Sequence, residues 1–326
     1  MAARLLGPLV DEIAVLAAAW RADVIVADSV AIVAGPIAKN TNAAWITIAA
    51  SPVSVETRRG TPGFLGGWFP RDDWVGQVRD AVGRGAIRGA KRLVHRLVRA
   101  QVQDHWPVVY RCDGTEAIYA PDAILGLGLE ALEFPRDWPA GFAMIGPLFG
   151  PPEGLPPLPL AQGKPRALLT AGTHLPWARS QWEQGARALA AAYPDIDFVL
   201  SLGQLDGGSV RRLTENLLAV PAVCYHRDLA LFDVIVHHGG TGILYAALAA
   251  GKPSMVVPMD YDQPDYAARI VWHGLGLQGR HPGDTATFGQ VLRQDWPACQ
   301  IFQDLATAAK PEAAFLAALA QIKRSA

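Results

Sequence analysis

The run Val234-Ile-Val-His-His-Gly-Gly-Thr-Gly242, followed by Ile243 to Ala250 and then Lys252-Pro-Ser-Met-Val-Val-Pro258, constrains the fold more than any other part of the chain. It reads as a short apolar strand, a glycine-rich turn, a helix and a second apolar strand. Two apolar strands joined by a helix commit the chain to parallel βα units with both sheet faces covered. The turn adds chemistry. Where a strand runs through glycines into a helix, backbone N–H groups are left unpaired at the positive end of the helix dipole, which suits a phosphate group. His238, at the lip of the turn, adds a side-chain donor.

The same alternation extends in both directions. Apolar residues at helical spacing predict a helix over Leu5–Trp20, with a buried strand at Asp23–Asp28, a helix at Ser29–Lys39 and a strand at Ala43–Ala50. Val53–Trp74 loses periodicity and fills with Gly, Pro and aromatic residues. It reads as a surface loop or as an aromatic wall for an apolar ligand. Val75–Trp106 is helical in pattern and basic, weakened by Gly83, Gly85 and Gly89. Its charges, with His95 and His105, read as a solvated face, leaving room for peripheral contact with anionic lipid. Short strands are expected at Ala117–Ala120, Ala123–Gly126 and Ala143–Gly146.

Seven prolines between Pro147 and Pro165 exclude a helix or strand interior and mark a stiff linker. This divides the chain into a first domain over 1–146, a linker over 147–165 and a second domain over 166–326, whose final helix could instead pack back on the first. In the second, strands are expected at Arg166–Thr170, Asp197–Leu202 and Ala222–Tyr225. Helices are expected at Gln181–Tyr193, Leu213–Leu218, Pro264–Trp272, Thr287–Leu292 and Pro311–Ile322. Ligands of such folds sit at the carboxyl ends of the strands, which gives weight to Asp28 and Ser51.

The 326 residues suffice for two cores, and a formal net charge of −1 offers nothing to nucleic acid. Three scattered cysteines without a CxxC pair argue against zinc or disulfides. No apolar run approaches ~20 residues, and Asp11-Glu12 interrupts any leader-like segment, so a cytoplasmic protein is expected. There is no G-x-G-x-x-G after a strand, no Walker loop and no G-x-S-x-G elbow. The His-His pair lacks metal spacing, so neither a metal nor another cofactor is expected.

Taken together, Val236-His-His-Gly-Gly-Thr-Gly242, Ala249-Ala-Gly-Lys-Pro253, Val257-Pro258, Asp262-Gln263-Pro264 and Ala267-Ala-Arg-Ile270 resemble the donor-binding signature of GT-B glycosyltransferases. The resemblance is to the family-1 type that decorates natural products and other lipophilic alcohols, in its bacterial form. It implies a GT-B fold of two Rossmann-like domains and an inverting transfer of a hexose from a UDP- or dTDP-sugar co-substrate to a lipophilic acceptor. His238 would bind the donor diphosphate, supported by the turn of Gly239, Gly240, Thr241 and Gly242. Gly172 and Thr173 would approach it from the neighbouring strand. Asp262 and Gln263 would hold sugar hydroxyls, and Tyr225 and His226 would lie near the nucleobase. His237 reads as a buried strand-end histidine.

The chain departs from the pattern at Ile243, where a hydroxyl residue is usual, and at Ala246, where plant members have a ribose-binding Glu. Asp28 aligns with the acid that orients the family's catalytic His. The first domain is therefore expected to be incomplete, with on the order of a hundred residues preceding the aligned part, about one domain. Asp28 alternatively caps the following helix. The alternatives to a transferase are a non-catalytic, donor-binding auxiliary or truncated product, and a sugar-nucleotide epimerase or cell-wall N-acetylglucosaminyl transferase of the same fold.

Overall fold

The computed structural model describes residues 6–102, 106–150, 154–160, 163–205 and 207–325. The chain forms two compact units. The first comprises Met1–Leu65, Pro70–Gly146 and Lys310–Ala326, and the second Gly66–Phe69 and Pro147–Ala309.

In the first unit, α1 (Leu6–Ala19), β1 (Val24–Asp28), α2 (Ala34–Thr41), β2 (Ala44–Ala49), α3 (Trp74–Val102), β3 (Ala123–Gly126) and β4 (Phe142–Met144) follow one another. The four strands form a parallel sheet in the order β1-β2-β3-β4. The expectation that β1 is buried is corrected. Among the described residues it is an edge strand, and Val26 and Asp28 face solvent.

Nor does a helix begin at Ser29. The Asp28 carboxylate accepts the Val30 N–H (2.9 Å), which fixes a turn instead, and α2 starts only at Ala34. Asp28 therefore caps a turn rather than a helix. Ala117–Ala120 is not a strand either. Tyr119 N–H is used by Glu116 C=O and Ala120 N–H by the Thr47 hydroxyl (2.8 Å), so no ladder forms.

The 29-residue α3 runs unbroken through Gly83, Gly85 and Gly89. Its cost of ~1 kcal/mol per glycine is offset by side-chain anchors. Arg88 meets Glu56 at 3.0 Å, and Lys91 meets Glu56 at 2.8 Å and Glu116 at 2.7 Å. The reading of this face as solvated is corrected for these residues and for His95. That ring is buried edge-on against Trp106 (4.8 Å) and its Nε2 lies 2.8 Å from the Trp106 carbonyl. His105 lies outside the described residues.

The second unit contains β5 (Arg166–Thr170), α4 (Arg179–Ala192), β6 (Asp197–Ser201), β7 (Arg211–Thr214), β8 (Leu217–Val220), α5 (Tyr225–Asp228), β9 (Val234–His237) and α6 (Thr241–Ala249). There follow β10 (Ser254–Val256), α7 (Gln263–Trp272), β11 (Gly276–Gln278), α8 (Thr285–Arg293) and α9 (Pro297–Ala308). The final helix, α10 (Pro311–Ser325), is part of the first unit, where Phe315, Ala318, Leu319 and Ile322 pack on the sheet. The seven strands are ordered β11-β10-β9-β5-β6-β8-β7, parallel except for β7.

Alternate residues of the central strands serve two cores. Leu169, Leu200 and Val236 face Trp182, Leu189 and Phe288. Leu168, Val199 and Ile235 face Phe232, Ile243 and Ala247. Burying each such aliphatic side chain stabilises the unit by about 1.5–3 kcal/mol. This is the α/β fold with parallel sheets that the alternation predicts.

Two assignments are corrected here. Leu213–Leu218 is not helical and Ala222–Tyr225 is not a strand. The segment is the β7–β8 hairpin, followed by the short α5. The Asn216 side chain decides this, because its Nδ2 reaches the carbonyls of Ala190 (3.0 Å), Tyr193 (3.1 Å) and Ile196 (3.0 Å). It pins the turn to the end of α4, a contact with no local signature.

The proline-rich segment has no regular element among its described residues. Phe149, Leu158 and Leu160 pack against the second unit's core. The Arg227 guanidinium donates to the carbonyls of Leu155 (2.9 Å) and Pro156 (3.0 Å). Among the described residues, no helix is long and apolar enough to cross a membrane.

Candidate functional site

The parallel registers pair Thr170 with His237 and Val256 with His237, so β5, β9 and β10 end at one edge of the second unit's sheet. The turns that follow them meet there. Gly239 has φ +96°, and its N–H donates to Nδ1 of His237 (3.1 Å). His237 is thus a fully buried strand-end residue, with Nδ1 as acceptor and Nε2 without a partner among the described residues. Gly240 then opens α6. No side chain caps that helix, so its first N–H groups point out of the turn as phosphate donors would.

His238 occupies a notch shaped by glycines. A Cβ on Gly172 would lie 2.7 Å from its Cε1, and one on Gly240 would lie 2.4 Å from its Nε2. Gly172 also has φ +68°, which only glycine adopts without strain. Behind it, a Cβ on Gly203 would strike the Gly172 carbonyl at 2.0 Å.

Both imidazoles are held neutral. Burial, then the neighbouring His238, pushes His237 down to about 3. Burial pushes His238 down to about 4, against a backbone hydrogen bond at Thr170 that raises it and with His174 lowering it further. A neutral His238 offers one N–H, and an arriving diphosphate would raise its proton affinity.

Thr170 is the node that sequence reasoning passed over. It is fully buried, and its hydroxyl accepts the Gly172 N–H (3.0 Å) and pairs with the Tyr225 hydroxyl (3.1 Å). Its only sequence signal was its place as the last residue of β5. Gly203, ending the β6 turn, was likewise legible only as a strand-end glycine. Tyr225 is therefore braced beneath the strand end, while His226 is exposed on α5. Thr173 and His174 are exposed beyond Gly172.

Gln263 is buried, and its Oε1 accepts the N–H groups of Met259 (2.8 Å) and Asp260 (3.0 Å), which shapes the loop after β10. That leaves its Nε2 as the group able to serve a ligand. Asp262 occupies the N-cap position of α7 without a capping side-chain hydrogen bond. The site thus gathers Gly172, Thr173, His238, Gly239, Gly240, Thr241 and Gly242, with Gln263 touching the Gly239 turn. Ile243 lies in the apolar core beneath. Asp28 belongs to the first unit, where its carboxylate accepts the Ser29 hydroxyl and the Val30 N–H.

Residues 188–304 match the erythromycin biosynthesis protein CIII-like C-terminal domain. The relatives it resembles are enzymes of natural-product biosynthesis. The chain is 36% identical over 141 residues to the O-mycaminosyltylonolide 6-deoxyallosyltransferase of Streptomyces fradiae, covering 42% of this chain and 32% of that protein. Against the 4'-demethylrebeccamycin synthase of Lentzea aerocolonigenes it is 29% identical over 273 residues, 78% of this chain and 62% of the relative.

The chain therefore spans from about a third to about three-fifths of the length of these two relatives. The GT-B fold is shared with the solved glycotransferase of kitacinnamycin, with a TM-score of 0.68 at 23% identity over 94% of this chain and 78% of that one. SnogD from Streptomyces nogalater gives 0.67 at 22%, over 97% and 78%.

Proposed function

We propose that this chain is a glycosyltransferase that binds a UDP- or dTDP-sugar in its second unit and moves the hexose to a hydroxyl of a lipophilic small molecule, with inversion. The observation that carries the reading is the His238 ring lodged between Gly172 and Gly240 beside the uncapped start of α6. In this reading the diphosphate lies on the N–H groups of Gly240, Thr241 and Gly242, with His238 as side-chain donor and Thr173 alongside. Those groups stabilise the charge of the departing diphosphate, and the reading assigns no metal to it. A general base takes the acceptor proton. Asp262 and the Nε2 of Gln263 hold sugar hydroxyls, and Tyr225 and His226 border the nucleobase.

Support comes from relatives. A zeaxanthin glucosyltransferase of Pseudescherichia vulneris is 30% identical over 195 residues, 58% of this chain and 46% of that enzyme. A neighbour of the same fold, a spinosyn rhamnosyltransferase, was solved with thymidine diphosphate. Titration calorimetry with UDP and dTDP tests the site. The intact protein should bind one of them and His238→Ala should lose at least tenfold, whereas binding of neither nucleotide would end the proposal.

A further inference from the structure

α3 carries its polarity inverted. The side turned to the first unit's interior is charged: Asp80 is buried against Arg79 at 2.7 Å, and Lys91 bridges Glu56 and Glu116. Burial acts to raise Glu56, but hydrogen bonds from Lys91, Tyr110 and Arg88 outweigh it and hold the carboxyl below its ordinary range. Burial raises Glu116 despite Lys91.

The outward side is apolar. Val78, Val82, Leu93 and Leu97 follow helical spacing on one strip, and Val82 and Leu97 are 67% and 72% exposed. Gly85 and Gly89 continue the strip between them, with open space where a Cβ would stand. Trp74, 75% exposed, begins the helix. A surface helix of a protein surrounded by water has the opposite arrangement.

Charge identifies what this face would meet. Arg92, Arg96 and Arg99 border the strip and line one hollow with Gly89, Leu93 and His95. Arg92 rests over the Tyr110 ring at 5.0 Å. Among the described residues no ion pair forms on Arg96 or Arg99. The only acid of α3, Asp80, is turned inward. A second copy of α3 would bring more arginines and no exposed carboxylate.

We propose that this face of α3 lies on an anionic lipid bilayer. Val82, Leu93 and Leu97 enter the headgroup–acyl boundary, as in interfacial helices. Arg96 and Arg99 reach lipid phosphates from the rim on long aliphatic stems. Trp74 suits the same depth.

The test is co-sedimentation of the full chain with phosphatidylcholine vesicles and with mixed phosphatidylcholine–phosphatidylglycerol vesicles. The protein should bind the mixed vesicles, ignore pure phosphatidylcholine, and loosen as salt screens the attraction. The double variant Arg96→Gln/Arg99→Gln should weaken binding by about 30-fold. Val82→Asn/Leu97→Asn should weaken it without changing the lipid preference. Both pairs are exposed, and circular dichroism should report an unchanged fold.

Three results would overturn the proposal: no vesicle binding, equal binding to both lipids, or full binding by the arginine variant. A fourth is a concentration-dependent dimer in sedimentation velocity that Leu97→Asn abolishes, which would give the face to a second copy.

Discussion

Mild acid should destabilise the second unit through two residues, His237 and His238. Their folded pKa values, about 3 and about 4, lie below the ~6.5 of a free imidazole. Above pH 6.5 both rings are neutral whether folded or unfolded, and their contribution to stability is complete and flat. Below it the unfolded chain binds protons that the folded one refuses. Stability then falls by ~1.4 kcal/mol per pH unit per histidine, until the folded values are reached.

From pH 6.5 to 5 that amounts to about 2 kcal/mol each and about 4 kcal/mol together, a large share of the ~5–15 kcal/mol that holds a domain. The assay is urea unfolding followed by tryptophan emission, with Trp182 buried in the same core, at pH 8, 6.5, 5.5 and 5. The midpoint should hold between pH 8 and 6.5 and then drop. His238→Asn and His237→Asn should each remove roughly half of the drop. Identical pH profiles for the intact protein and both variants would refute the argument.

Three further outcomes follow from the geometry. Gly240→Ala has an acceptable backbone (φ −64°) but sets a Cβ against the His238 ring, so it should cost about 1–3 kcal/mol and most nucleotide affinity. In a His238→Ala background the same change should be nearly silent by thermal unfolding, because the pair is coupled through one space. Gln263→Leu strips two N–H groups of their acceptor and should lower stability by about 1–3 kcal/mol, with loosened donor binding by calorimetry. Lys91→Met leaves Glu56 and Glu116 without their shared cation and should cost about 3 kcal/mol in denaturant titration, part of it restored by adding Glu116→Gln.

What could be read in advance divides by the range of the interaction. The strand, glycine turn and helix at 234–249 were legible because each residue's task is met by its neighbours: buried valines, a turn that demands φ above zero, and a helix start. The α/β alternation was legible for the same reason. Leu213–Leu218 misled because Leu213, Leu217 and Leu218 fall at helical spacing, while the deciding contact is Asn216 reaching back to α4. Arg88 and Lys91 of α3 looked solvated because the acids they meet, Glu56 and Glu116, lie 32 and 25 residues away.

The place of His238 at the turn could be read from the sequence. Its notch was not visible, because it is assembled from Gly172 on one strand end and Gly240 on another. Thr170 was hidden for the same reason, since its importance arises only when Tyr225 and Gly172 are brought to it.

The return of α10 to the first unit has a consequence for how the polypeptide is made. Every residue of the second unit from Pro147 to Ala309 emerges from the ribosome before Phe315, Leu319 and Ile322 exist to cover the sheet of the first. At translation speeds of about 5–20 residues per second, that sheet waits many seconds with Ile46 and Leu125 uncovered, although the strands around them were synthesised early. A stop codon after Ala309 would spare every residue around the His238 notch yet leave the other unit's core open. Such a product should be recognised by chaperones through the half that lies outside the candidate site.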